Sequence, residues 1–104
     1  MNQQFDVVAN PDTTDAAYRP YQVILQSDLE SGLRSTVVAP LIGREQFAGA
    51  ERMNPIFTIN GKDYWLATHE LFAVQQRMLK QAVASLADRR DAIMAALDFD
   101  FTGV

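Results

Sequence analysis

Cysteine is absent from the sequence, which excludes disulfides and thiolate metal sites and fits a reducing compartment. Histidine occurs once, as His69. Glu70 follows it, but the second histidine of a zinc-protease helix is missing, so neither a metal nor a general-base role is expected there. Basic charge is sparse. Nine Lys and Arg stand against thirteen Asp and Glu, for a net charge of −4 and an isoelectric point near 4.7. Arg89-Arg90 is the only adjacent basic pair. Phosphate-backbone binding rests on clustered Lys and Arg, so direct nucleic-acid binding is not expected. No apolar run approaches the roughly 20 residues that span a bilayer. The opening Met1-Asn2-Gln3-Gln4-Phe5-Asp6 lacks the basic and apolar regions of a signal peptide. A soluble, cytoplasmic protein without membrane contact is the expectation. Catalytic groupings are missing too. Gly61-Lys62 has no Walker-A context and reads as a turn. Asp98 and Asp100 do not share a helix face, which argues against a carboxylate dyad. No nucleophile, base and orienter assemble, so no catalytic residue, cofactor or metal is expected.

What is present is an ordinary globular balance of 48% apolar and 21% charged residues in 104. That length predicts one domain, residues 1–104, with one modest core. A core so small gains from a second subunit that covers more apolar surface.

Phe5-Asp6-Val7-Val8-Ala9 predicts a first strand, followed by turns around Asn10-Pro11-Asp12. Tyr21 to Gln26 alternates like a half-buried strand, except that Ile24 breaks the alternation and implies cover on both faces. Ser27 to Ser35 reads as a polar connection. Thr36-Val37-Val38-Ala39 is the next strand, and Pro40, lacking an N–H, is expected to end its regular pairing. Arg44 to Asn54 reads as a surface loop. Ile56-Phe57-Thr58-Ile59 and Tyr64-Trp65-Leu66-Ala67 flank Asn60-Gly61, the dipeptide of a type I′ hairpin turn. Trp65 on this hairpin reads as core.

From His69 to Leu97 nearly every residue favours helix. Ser85-Leu86-Ala87-Asp88 nevertheless resembles a capping box, so a separate helix is placed from about Leu86 to Phe99. Leu86, Ile93 and Leu97 would form its buried face, with Arg89, Arg90 and Asp91 toward solvent. Leu71 to Leu79 is compatible with strand or helix. Phe99 and Phe101 suit a core or an interface anchor equally.

The order of these features carries a resemblance. Gln26-Ser27-Asp28, then Val38-Ala39-Pro40-Leu41, then Pro55 before a hairpin with Trp65, then Val83-Ala84-Ser85-Leu86, then a helix ending Phe101-Thr102-Gly103-Val104, together resemble the CcdB toxin family over essentially the whole chain. The resemblance implies an α+β fold related to SH3-like barrels, with a central antiparallel sheet, a small accessory sheet and a C-terminal helix. It also implies a strand within Leu71 to Leu79.

The implied function is that of a toxin in a toxin–antitoxin pair. Such a toxin is a homodimer that enters the cavity of the DNA gyrase A subunit, traps this topoisomerase on cleaved DNA, and is neutralised by a CcdA-like antitoxin. The positions that match the family's gyrase-contacting surface are Asp98, Phe101, Thr102, Gly103 and Val104, with Leu29 and Glu30 on the loop after Gln26-Ser27-Asp28, and Asp91 and Ala95 further up the helix. A two-fold dimer suits a two-fold cavity. Thr102 stands where the family carries a tryptophan that stacks on a gyrase arginine, Asp98 and Ala95 replace asparagines, and Glu30 replaces an apolar residue. Gly103 and Val104 keep the small-then-aliphatic ending. Two other functions are compatible with the fold. One is a homologue that only binds antitoxin. The other is an endoribonuclease toxin, which needs a basic groove and an acid–base pair that this acidic chain does not plainly show.

Overall fold

Asn60 and Gly61 both adopt positive φ, 52° and 81°, as a type I′ turn requires of its two central residues. The hairpin read from the sequence forms around them. The computed structural model describes residues 2–26, 34–46 and 54–102, Thr102 through its backbone only. Seven strands run through these residues: β1 (Asp6–Ala9), β2 (Tyr21–Ile24), β3 (Ser35–Gly43), β4 (Ile56–Ile59), β5 (Lys62–Leu66), β6 (Phe72–Gln75) and β7 (Ala82–Ser85), followed by the helix α1 (Arg90–Thr102). They form one curled antiparallel sheet in the order β4-β5-β3-β2-β1-β7, while β6 pairs with β3 off this path. The architecture is the α+β sheet with C-terminal helix that the resemblance implies.

The sheet has two apolar faces. On one, Val7, Val23, Ala39, Leu41, Tyr64 and Leu66 pack with Phe5, Phe57, Ile59, Leu86 and Ile93. On the other, Val8, Ile24 and Val38 pack with Val74 and Leu79. Ile24 therefore breaks the alternation of β2 because both of its faces are covered, as the sequence suggested. The second, smaller core lies beneath β6, and β6 with the first half of β3 forms the minor arm of the sheet.

Pro40 does not end β3. Val38 to Leu41 pair with β2 on one side, and Pro40 lies opposite Gln22. Val37 O accepts the Leu25 N–H, so by the alternation of an antiparallel ladder Val37, Ala39 and Leu41 direct their backbone groups at β2. Pro40 faces the other way. On that side β5 ends opposite Leu41 and β6 begins opposite Val38, so the missing N–H falls in the gap between two partners. Only the carbonyl of Pro40 is used, accepting from Ala67 N at 2.9 Å.

Two further segments gain detail. Within the predicted loop of residues 44–54, Arg44–Gln46 is an exposed 3₁₀ turn. Asn54, however, is buried, its Nδ2 donating to Leu66 O at 3.1 Å, and residues 47–53 lie outside the described residues. Leu71 to Leu79 is strand only over Phe72–Gln75 and then turns through a 3₁₀ segment at Gln76–Met78.

The polar interior is built from short-range turns. Asn10 is buried and accepts the Asp12 N–H on its Oδ1 at 2.9 Å. The same oxygen accepts from Gln22 Nε2 at 3.2 Å, which gives the buried Gln22 one partner. Trp65 is 7% exposed, and its indole donates to Arg44 O at 3.2 Å; it is a core residue. Phe5, at φ 69°, holds a left-handed conformation that is costly for an aromatic residue. Its N–H donates to Ile24 O at 2.6 Å and its carbonyl accepts from Leu86 N at 2.8 Å. These bonds tie the start of β1 to the segment that enters the helix.

Candidate functional site

The helix starts where β7 ends. Ser85 Oγ accepts the Ala87 N–H at 3.2 Å, a local turn that stops the strand. No reciprocal bond from Asp88 is present among the described hydrogen bonds, so the full capping box read from the sequence does not form. The chain instead passes through a 3₁₀ turn at Ala87–Arg89 before α1 begins at Arg90. The helix is therefore shifted toward the C-terminus relative to the expected span of Leu86 to Phe99.

One face of α1 seats it on the sheet. Ile93 is fully buried, Ala96 nearly so, and Leu97 and Met94 pack partly against the same cluster. Arg89 and Arg90 are exposed, yet their guanidinium carbons lie 4.9 Å and 5.7 Å from the ring centroids of Phe57 and Phe5. These cation–π contacts clamp the entry of the helix over the core.

The opposite face is open. Asp91, Ala95 and Asp98 are exposed and fall at i, i+4 and i+7, one stripe of an α-helix. Phe101, 73% exposed, closes it, and Thr102 lies at i+11 in the last turn. Four of the positions expected to contact a partner are thus brought together, and Phe101 is not a core anchor of its own subunit. Phe99 is half-buried. Leu29, Glu30, Gly103 and Val104 lie outside the described residues.

The C-terminal end of α1 is acidic. The C-terminus of a helix carries partial negative charge from free carbonyls, no basic residue occupies the last turn, and Asp98 and Asp100 add two carboxylates. The two differ in setting: Asp98 is exposed, whereas both carboxylate oxygens of Asp100 are shielded and have no hydrogen-bond partner among the described residues. Spacing gives no sign of that orphaned state. Removing a carboxylate from the negative end of a helix is worth about 0.3–1 kcal/mol, so Asp100→Asn should raise Tm by a few degrees in a calorimetric scan. A fall in Tm would contradict the unfavourable placement of this carboxylate.

The described residues contain no group of three or more His, Asp or Glu side chains placed to hold a metal ion, and none of their helices is long and apolar enough to cross a membrane. His69 Nδ1 lies 3.4 Å from Asn54 Nδ2, and its Nε2 lies 3.5 Å from Glu70; these neighbours join the end of β5 to the buried Asn54.

A search of the curated proteins gives no match. The family model described as CcdB protein matches residues 4–103. With nearly its full length covered by that match, and with the sheet and terminal helix described above, the chain belongs to the CcdB family, the non-enzymatic toxins of toxin–antitoxin pairs.

Proposed function

We propose that two copies of this chain pair and present their α1 ends side by side as one projecting tip, which enters the cavity of the DNA gyrase A subunit and holds the enzyme on cleaved DNA. The toxin works in the cytoplasm, and a CcdA-like antitoxin neutralises it. The observation that carries this reading is the stripe of Asp91, Ala95 and Asp98 ending in Phe101, which is 73% exposed at the end of the helix. A large aromatic left outside the core at an acidic tip is suited to a target that offers an apolar pocket beside arginine. Leu29, Glu30, Thr102, Gly103 and Val104 complete the surface in this reading.

In a cleavage assay with purified gyrase and supercoiled plasmid, the protein is expected to accumulate linear DNA as its concentration rises. No linear product at high concentration would reject gyrase poisoning. Pairing is tested by light scattering, where a strictly monomeric mass at micromolar protein would reject the shared tip.

Thr102 favours a second reading. It removes the ring that the family's tryptophan supplies, which supports a homologue that retains antitoxin binding with weakened action on gyrase. Antitoxin capture without linear DNA would select this alternative.

A further inference from the structure

The arginines of the described residues divide into two groups. Arg19 is bound to Asp15 at 2.9 Å and to Glu70 at 2.8 Å, and Arg44 to Asp63 at 3.4 Å, while Arg89 and Arg90 lie over aromatic rings. Arg34 and Arg77 make no ion pair with any described residue. They lie far apart in sequence but line one concavity of about 530 Å³ together with Gln75 and Gln76. The register brings them there: Ser35 lies opposite Gln75, and the Gln76 N–H donates to Arg34 O at 2.7 Å.

This concavity adjoins an open strand edge. Because Arg34 turns its carbonyl to Gln76, the ladder alternation assigns Thr36 and Val38, with their partners Val74 and Phe72, to the β3–β6 hydrogen bonds. The N–H and C=O of Ala73 and Gln75 then point away from β3. Both residues are exposed, and β6 pairs with no other strand among the described residues. Such an edge is a template for an added strand. Phe72 and Met78, 40% and 46% exposed, stand at the two ends of this segment and offer apolar contact.

We propose that the β6 edge and the Arg34–Arg77 concavity form a docking groove for an extended, acidic peptide segment of a partner protein. The segment adds as a strand along Ala73 and Gln75, and its carboxylates meet the two guanidinium groups. Charge complementarity selects this occupant. The chain as a whole is acidic, but a Debye length of about 8 Å at physiological salt leaves the two nearby arginines as the dominant field inside the groove. Charge-assisted bonds to guanidinium favour carboxylate geometry. The groove belongs to the minor arm, whose core residue Val74 packs on the sheet face opposite Ile93, so it does not depend on the gyrase reading.

The test is fluorescence anisotropy of a labelled octapeptide alternating Glu with Val and Thr, titrated with the full chain. Its Lys-for-Glu counterpart and a single-stranded RNA octamer serve as rivals. The Glu peptide is expected to bind, to weaken as salt rises, and to lose roughly tenfold or more in affinity in Arg34→Ala/Arg77→Ala. Both positions are exposed, so circular dichroism should show an unchanged fold. In the wild-type chain, the amides of Ala73 and Gln75 should shift in an NMR titration with the same peptide. No binding, binding unaffected by the double variant, or equal binding of the Lys peptide would overturn the proposal. Arginine-dependent preference for the RNA octamer would overturn it in favour of a nucleic-acid site.

Discussion

Replacing Thr102 with tryptophan should raise the affinity of this protein for gyrase by two to three orders of magnitude. Thr102 lies in the last turn of α1, next to the exposed Phe101, and a threonine offers a hydroxyl and a methyl but no ring face. A desolvated cation–π contact between indole and arginine contributes about 2 kcal/mol. A paired tip carries the substitution twice, giving about 4 kcal/mol if both rings engage, and each 1.4 kcal/mol is a factor of ten. Linear DNA should then appear in the cleavage assay at correspondingly lower protein concentration. An unchanged affinity would show that the missing ring is not what limits binding.

Stability should depend most on the seat of that same helix. Ile93 is fully buried in the larger core, in one cluster with Leu86 and the sheet residues Val7, Val23 and Leu66. Ile93→Ala is expected to cost about 2–5 kcal/mol, the transfer loss plus the cavity left behind. A chain of this size has a total stability on the order of 5–15 kcal/mol, and each kcal/mol moves Tm by roughly 4–8 °C. A fall in Tm of about 10 °C or more, and an earlier urea midpoint, should follow. Asp91→Ala, on the exposed face of the same helix, should stay within about 0.5 kcal/mol of wild type. If Ile93→Ala cost no more than Asp91→Ala, α1 would not be held by the face described here.

How far these features could be read in advance depended on the range of the cause. The Asn60-Gly61 turn was legible because positive φ at two successive positions is a local demand that few residue types meet. Ile24 was legible as a residue covered on both faces because alternation is also local. Pro40 misled, since whether a missing N–H matters is decided by which neighbour lies opposite, and here β3 changes partner at that residue. The run from His69 onward favours helix residue by residue, yet it supplies β6 and β7. There, burial against Ile24 and Val38 and pairing with β1 override intrinsic preference. The helix was found but its start was not, because Ser85 caps a turn and leaves the first helical hydrogen bonds to begin later.

The partner-facing surface shows the same division. Asp91, Ala95 and Asp98 share a stripe by simple helical spacing, so their grouping was readable from the sequence once the helix was recognised. The juxtaposition of Arg34 with Arg77 was not, since it exists only through the register of β3 with β6. The shielded Asp100 carboxylate was equally invisible, since helical spacing assigns a residue to a face but does not say whether its oxygens find a partner.

The most direct test is a calorimetric titration of the protein into the gyrase A dimer, run in parallel with Phe101→Ala. Because Phe101 is exposed and contributes little to its own core, the variant should keep the wild-type Tm. Truncation of a central aromatic at an interface costs about 2 kcal/mol or more, so affinity should fall by at least roughly thirtyfold. Equal heats and equal affinity for the two proteins would contradict the assignment of the α1 end as the surface that grips gyrase.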